Sequence, residues 1–419
     1  MFQRPILVLF LLFGLGFALH AQTTIKYAFW GNPDAIGVEK DIIEAFEATH
    51  PDIKVTPIAV SYNDYHAKLL VLIAGGQAPD VMRIDSYFFQ DFLKAGALKD
   101  ISGLIKSSKI DVSRFYQSGL QDSMKDGKFY GFPWATAPLY MFVNTKMFAD
   151  FGIPVPKADW TWDDLVVLLG KFSKGQAENK TYGLGLSVVD LAAVLPYVWG
   201  VGEDVFDKTR TKFTLNTPGA AKKLDEVAAL IKKGLIPDVA TFPTAEVLTS
   251  YFAQNKIAMR VGSAAEILTT QKIDGLDFTV LPFPGTTKFP RATVSKSNVV
   301  GLYSKTKNEK AAWEFLQFLR APGREGEELY MKAKRIPPTV DDPALWALYA
   351  DPTKPPKNIA AMTKEINSKY GHLLPLRSGW LEIQGLVVPQ LQKVFSGVVD
   401  GATAMNEIAP QVNAILAKK

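Results

Sequence analysis

Carboxylates, amides and aromatic rings carry the chemistry open to this chain. Cysteine is absent and the only histidines, His20, His50, His66 and His372, are scattered along 419 residues. Thiol nucleophiles, thiolate metal sites and disulfides are therefore excluded, and no zinc site or other cofactor is expected. His66 beside Tyr62 and Tyr65 is a weak cluster that a shared helix face explains as well as a metal does. Phosphate-loop, dinucleotide, zinc-protease and nucleophile-elbow signatures are missing. Asp85 with Glu203 or Asp34 could supply the carboxylate pair of a glycosidase, whose groups stand roughly 5–9.5 Å apart. Hydrogen bonding by one carboxylate accounts for Asp85 without catalysis, so the expectation is recognition rather than bond breaking.

The elements that must position these groups alternate. Ile25 to Trp30 reads as a strand ending at Gly31-Asn32-Pro33-Asp34. Val38, Ile42, Ala45, Phe46 and Thr49 share a helical face, and His50-Pro51-Asp52 ends that helix. A strand over 53–60, a helix over 65–74 and a short strand over 80–84 follow. Strand, helix, strand, helix, strand argues for a parallel sheet covered by helices, with the ligand crevice at the carboxyl ends of the strands. Trp30 and Asp85 lie at such ends. Further on, 131–133 leads into a strand over 140–144, Thr161 stands three residues before Asp164 as a helix-capping pair, and amphipathic helices are expected over 218–233, 309–319 and 383–395. Gly and Pro gather at 282–285, 335–338 and 351–356, candidate chain crossings.

Lys plus Arg number 47 against 42 Asp plus Glu, a net charge of +5 spread without a basic patch, so no nucleic-acid partner is expected. Arg4 precedes an apolar run from Pro5 to Leu19 with small residues at Ala18 and Ala21. That pattern predicts a signal peptide over 1–21, cleaved after Ala21 or Ala18, and a periplasmic protein without a lipoprotein cysteine.

Over nearly the whole mature length the chain resembles the extracellular solute-binding proteins of ABC importers, in their carbohydrate-binding family. The order and spacing of several stations carry the likeness: Phe29-Trp30-Gly31, His50-Pro51-Asp52-Ile53, Ala74-Gly75-Gly76-Gln77-Ala78-Pro79-Asp80-Val81, Gly127-Lys128-Phe129-Tyr130-Gly131-Phe132-Pro133, Val143-Asn144-Thr145-Lys146, Thr161-Trp162-Asp163-Asp164-Leu165 and Ala253-Gln254-Asn255-Lys256-Ile257. The resemblance implies an α/β fold of two lobes, each a mainly parallel sheet flanked by helices, joined by hinge crossings. The first lobe is expected over 22–133 and 285–336, the second over 138–281 and 340–419, with hinges at 134–137, 282–284 and 337–339. It further implies a monomer that closes on a sugar and delivers it to the permease subunits of an ABC importer.

A sugar presents hydroxyl edges and flat C–H faces, so its site needs hydrogen-bonding side chains and aromatic rings. By the resemblance, Trp30 stacks on the ligand, Asn32 and Asp34 supply polar contacts, and Asp85 with Ser86 at the third strand end gives the best polar contact. Tyr62 and Asp64 match a segment facing the cleft, although Asn63-Asp64 could equally cap the following helix. Trp134 and Thr136 match the first crossing, with hinge packing as the alternative for the indole. Trp199 and Gly200 match a second-lobe segment, and Trp380 a late aromatic station. Two departures stand out: Arg260-Val261-Gly262-Ser263-Ala264 lacks the tryptophan the family commonly carries there, and Ser295-Lys296-Ser297-Asn298 replaces a glycine-rich passage. Asn298 is a further candidate contact, and convergence of Arg260, Lys296 and Arg377 would make an anionic uronate or glycerophosphate the alternative ligand.

Overall fold

The computed structural model describes residues 22–333 and 336–418. The expected signal segment 1–21 lies outside the described residues, as does Arg335 in one candidate crossing. The expected alternation opens the fold: β1 (Thr23–Trp30), α1 (Pro33–Thr49), β2 (Ile53–Val60), α2 (Tyr62–Ala74), β3 (Val81–Ile84) and α3 (Ser86–Lys94). α1 begins earlier than its apolar face alone predicts. Asn32 caps it, with Oδ1 accepting from Ala35 N at 2.9 Å, and Pro33 brings a fixed φ to the first turn.

β1 pairs in parallel with β2, from Thr23 opposite Ile53 to Trp30 opposite Val60, and with β3 through Tyr27 opposite Val81. Helices cover both faces, and the side chains of β1 divide accordingly. Ile25, Tyr27 and Phe29 enter the core shared with the helix Glu309–Arg320, while Ala28 and Trp30 enter a smaller one with Tyr65, Leu69 and Phe92. Asp80 supports this unit, its carboxylate accepting from Lys26 N at 2.8 Å and from Thr306 Oγ1.

A small hairpin of β4 (Met124–Lys125) and β5 (Lys128–Phe129) precedes the long β6 (Phe132–Asn144), which joins the two strand pieces expected around 131–144 into one. β7 (Tyr182–Gly185), β8 (Ile257–Ser263), β9 (Phe278–Leu281), β10 (Thr293–Leu302) and β11 (Gly371–His372) complete the strands. They lie in the order β2-β1-β3-β10-β6-β8-β7, with β9 beside β6 and β11 beside β10. The outer pairs are parallel, whereas β10 meets β3 and β6, and β6 meets β8 and β9, antiparallel. The polar passage 295–298 lies in β10 opposite 135–138 of β6, and the register shifts between Asn298 and Val299.

The second half of the sheet carries a separate core. Met141, Trp160, Leu165, Leu224, Trp380, Val394 and Met405 meet there, contributed by β6, the helix Trp162–Phe172 and the helices Pro218–Lys232, Trp380–Phe395 and Gly401–Ala417. Thr161 and Asp164 cap the first of these helices reciprocally, at 3.2 and 2.8 Å. Segment 282–291, expected partly in a hinge and partly in the first lobe, is stitched to Trp160: Pro282 O accepts its Nε1 at 2.9 Å and Arg291 donates to its carbonyl at 2.7 Å. Residues 340–366, expected in the second lobe, bond to both sides: Val340 pairs with Phe115 and Trp346 Nε1 donates to Tyr116 Oη at 3.2 Å, while Asn358 Nδ2 donates to Val280 O at 2.6 Å in β9. Neither segment has a sheet of its own, so each follows the apolar surface available to it.

Candidate ligand-binding site

Asp85 is the hub of the strand-end crevice. It caps α3, Oδ1 accepting from Tyr87 N at 3.0 Å, while Oδ2 accepts from Tyr62 Oη at 3.3 Å and faces Lys296 Nζ at 3.8 Å. Its own amide donates to His66 Nε2 at 3.1 Å. Burial drives the His66 imidazole down to about 4, so that nitrogen stays an acceptor near neutrality, and the ring lies stacked on Phe88 with centroids 3.8 Å apart. Asp85 is itself buried, so it reaches a ligand only through Oδ2 and the groups it orients.

Beneath it Arg83 is completely buried. It pairs with Glu39 at 3.2 Å, donates to Trp30 O at 2.8 Å, and sits 4.6 and 4.0 Å from the rings of Trp30 and Trp134. Burial opposes the charge, but Glu39 and the neighbouring tyrosines outweigh it and hold the guanidinium above its ordinary range. Glu39 also accepts from Tyr27 Oη at 3.2 Å and Tyr330 Oη at 2.5 Å. Trp30 and Trp134 are thus brought together as a floor, 9% and 6% exposed. The accessible aromatic above them is Tyr62, 45% exposed and 5.7 Å from Trp30.

Across the crevice Tyr87 Oη donates to Asp190 Oδ2 at 2.5 Å, which ties α3 to the loop after β7. Burial and the Asp190 charge hold the phenol well above its ordinary value. A cavity of about 270 Å³ opens here, lined by Tyr87 and Lys296 on one side and by Ser187, Asp190, Ser263 and Glu266 on the other, with Leu139, Val261 and Val294 as apolar wall.

Several expected site residues serve other ends. Asn32 is a helix cap, and Asp34 is exposed in the first turn it caps. α2 begins at Tyr62, ahead of Asn63-Asp64, and no side chain caps its first amides; Asp64 lies in its first turn and accepts from Ser61 Oγ at 2.6 Å, while the Asn63 and Thr136 side chains lie outside the described residues. Ser86 N donates to Asn298 Oδ1 at 3.3 Å, so these two meet beside Asp85, and the Ser86 hydroxyl has no partner among the described residues. Trp199 lies elsewhere: its Nε1 donates to Asp204 at 2.9 Å and it lines a cavity of about 700 Å³ with Glu203, Arg210 and Tyr370. Gly200 ends the helix Leu195–Trp199 at that side. Trp380 is fully buried behind Tyr87, ring centroids 6.3 Å apart and nearly parallel, and cannot stack on a ligand in this conformation.

The expected basic cluster does not form. Arg260 is fully buried in β8, donating to Glu266 at 2.6 Å and Thr270 at 3.0 Å over the ring of Phe142. Burial, partly offset by Glu266, lowers its pKa. Arg377 donates to the carbonyl of Arg210 and lines a cavity with Lys94 and Lys418, while Lys296 stays with Asp85. Conversely Tyr87, Asp190, Ser187, Ser263, Glu266 and Arg83 were not singled out by the sequence. Ser263 and Glu266 carry a helix-capping spacing that was there to read, and Asp190 precedes Leu191-Ala192-Ala193 as a turn-initiating acid.

The sequence model described as bacterial extracellular solute-binding protein matches residues 33–324. The chain belongs to that family. Among family relatives, a putative binding protein of Brucella abortus (strain 2308) is 25% identical over 386 residues, 90% of each chain. The galactooligosaccharide-binding protein of Bacillus subtilis (strain 168) is 25% identical over 399 residues, covering 91% of this chain and 87% of that one. The fold is that of an ABC substrate-binding protein from Listeria monocytogenes in complex with cycloalternan, with a TM-score of 0.82 at 24% identity over 95% of this chain and 100% of that one. The sugar-binding protein MalE from Xanthomonas citri gives 0.79 at 18% identity over 94% and 98%. This solute-binding protein therefore has the two-lobe α/β fold, and no described helix is long and apolar enough to cross a membrane.

Proposed function

We propose that this solute-binding protein captures a neutral carbohydrate between its lobes and hands it to an ABC importer without changing its covalent bonds. The observation that carries the reading is the cavity beside the Asp85–Tyr87–Asp190 connection, where groups from both halves of the sheet converge. Its charges are acidic or already paired: Lys296 faces Asp85, Glu266 holds Arg260, and Asp190 carries no cationic partner among the described residues. Such a lining favours hydroxyl donors over an anion, which supports a neutral sugar over the uronate and glycerophosphate alternative. The oligosaccharide named for the Bacillus subtilis relative supports the ligand class.

The lobes are taken to divide where β6 passes through 134–137 and β10 returns beside it through 295–298, the two strands that link the outer parts of the sheet. Ligand then favours the closed form by its extra contacts in that form, and the permease reads the shape. The mature protein is taken to be a periplasmic monomer freed from its leader. A thermal-shift screen with neutral sugars, uronates and glycerophosphodiesters tests this, since a ligand at about 100 times its Kd adds roughly 2.7 kcal/mol. Neutral sugars should raise Tm and be recovered intact; a rise with the acidic compounds alone, or cleaved product, overturns the reading.

A further inference from the structure

The space between the lobes is not one groove. Tyr87 lines the cavity of about 270 Å³, whereas its neighbours Ser86 and Phe89 line a second one of about 270 Å³ that continues past Arg210 toward the Trp199 cavity. α3 stands between them as a wall. Its tie to the second lobe is built at two levels, Tyr87 Oη to Asp190 at 2.5 Å and, one turn on, Asp91 Oδ1 accepting from Ser378 Oγ and from Gly379 N at 3.3 Å. The Tyr87 ring has little freedom: it is 6% exposed, flanked by the fully buried Trp380 and by Lys296 Nζ at 3.9 Å from its centroid.

We propose that Tyr87 is a specificity-determining partition, which closes the binding cavity at one end and limits the ligand to one or two sugar rings. The inference rests on the carbohydrate reading above and adds chain length to it. At about 270 Å³ the cavity falls just under the range of roughly 300–1,000 Å³ usual for small-molecule sites, too small for a longer oligosaccharide. A longer chain must either displace the Tyr87 ring, breaking its Asp190 bond and baring Trp380, or leave its remaining rings in solvent.

Calorimetric titration of the full mature chain with gluco-, galacto-, xylo- and chito-series of one to five rings tests this. In any series that binds, affinity should peak at one or two rings and be weaker by about tenfold or more at five. Tyr87→Ala joins the cavities and should close that gap by tightening the five-ring ligand; Tyr87→Phe keeps the ring in place and should keep the gap. Five rings binding the wild type as tightly as two overturns the partition while leaving the carbohydrate reading intact, as does an unchanged gap in folded Tyr87→Ala. Should that variant not fold, the wild-type series and Tyr87→Phe still decide. Binding of no sugar in any series overturns the carbohydrate reading and the partition with it.

Discussion

Arg83 keeps a positive charge where no water reaches it, and Glu39 is what permits this. Replacing Arg83 by Met strands the Glu39 carboxylate among Tyr27, Tyr330 and the tryptophan floor, a loss on the order of 3–5 kcal/mol by chemical denaturation. Adding Glu39→Gln should recover part of it, because a neutral amide tolerates that burial; no recovery would mean the pair is not electrostatically coupled. His66 allows a second prediction at this scale. Its folded pKa lies near 4 against about 6.5 unfolded, so the unfolded chain takes up the proton first as pH falls. The stability tied to its neutral form is complete above about pH 6.5 and is lost on acidification toward pH 4, up to about 3 kcal/mol. His66→Gln keeps an acceptor for the Asp85 amide without titrating, and should flatten the stability profile between those values in denaturation series at stepped pH; an unaltered slope would show that His66 is not the group responsible.

Between elements, the closest backbone approach that positions the site is where the chain entering β6 crosses β10. A Cβ on Gly131 would stand 2.4 Å from Val299 Cγ1 and from Val300 O, and one on Gly301 2.4 Å from Tyr130 O. Neither glycine is needed for a left-handed turn; both are needed because two backbones touch. Gly131→Ala must push the strands apart, with a cost of about 1–3 kcal/mol in urea denaturation and a weaker ligand, since the Trp134 floor follows directly in β6. A variant as stable as the wild type would show that the strands have slack there. The helices were legible because capping and periodicity are local: Thr161 with Asp164, and the apolar faces of Pro218–Lys232 and Glu309–Arg320, all stand where the sequence puts them. The continuity of β6 was not, because nothing near Trp134–Pro138 reveals that β10 lies alongside.

For the whole molecule, Tyr87–Asp190 and Asp91–Ser378 already tie α3 to the far half of the sheet, so an open form must break them and ligand-driven closure restores them. Small-angle scattering should therefore show a smaller radius of gyration at saturating ligand than without it. Equal radii would remove closure as the mechanism of capture.

By itself the sequence determined the alternating strands and helices, the want of thiol chemistry, the family likeness, and the places of Trp30 and Asp85 at strand ends. Those follow from patterns a few residues long, or from the order of such patterns. Only the tertiary structure decided that Arg260 is consumed by Glu266, that Trp380 backs Tyr87 rather than a ligand, that Trp199 faces another cavity, and that Asp190 meets Tyr87. Each of those outcomes depends on which distant side chain arrives to satisfy a buried charge or ring, and residues 103 positions apart carry no mark of their meeting.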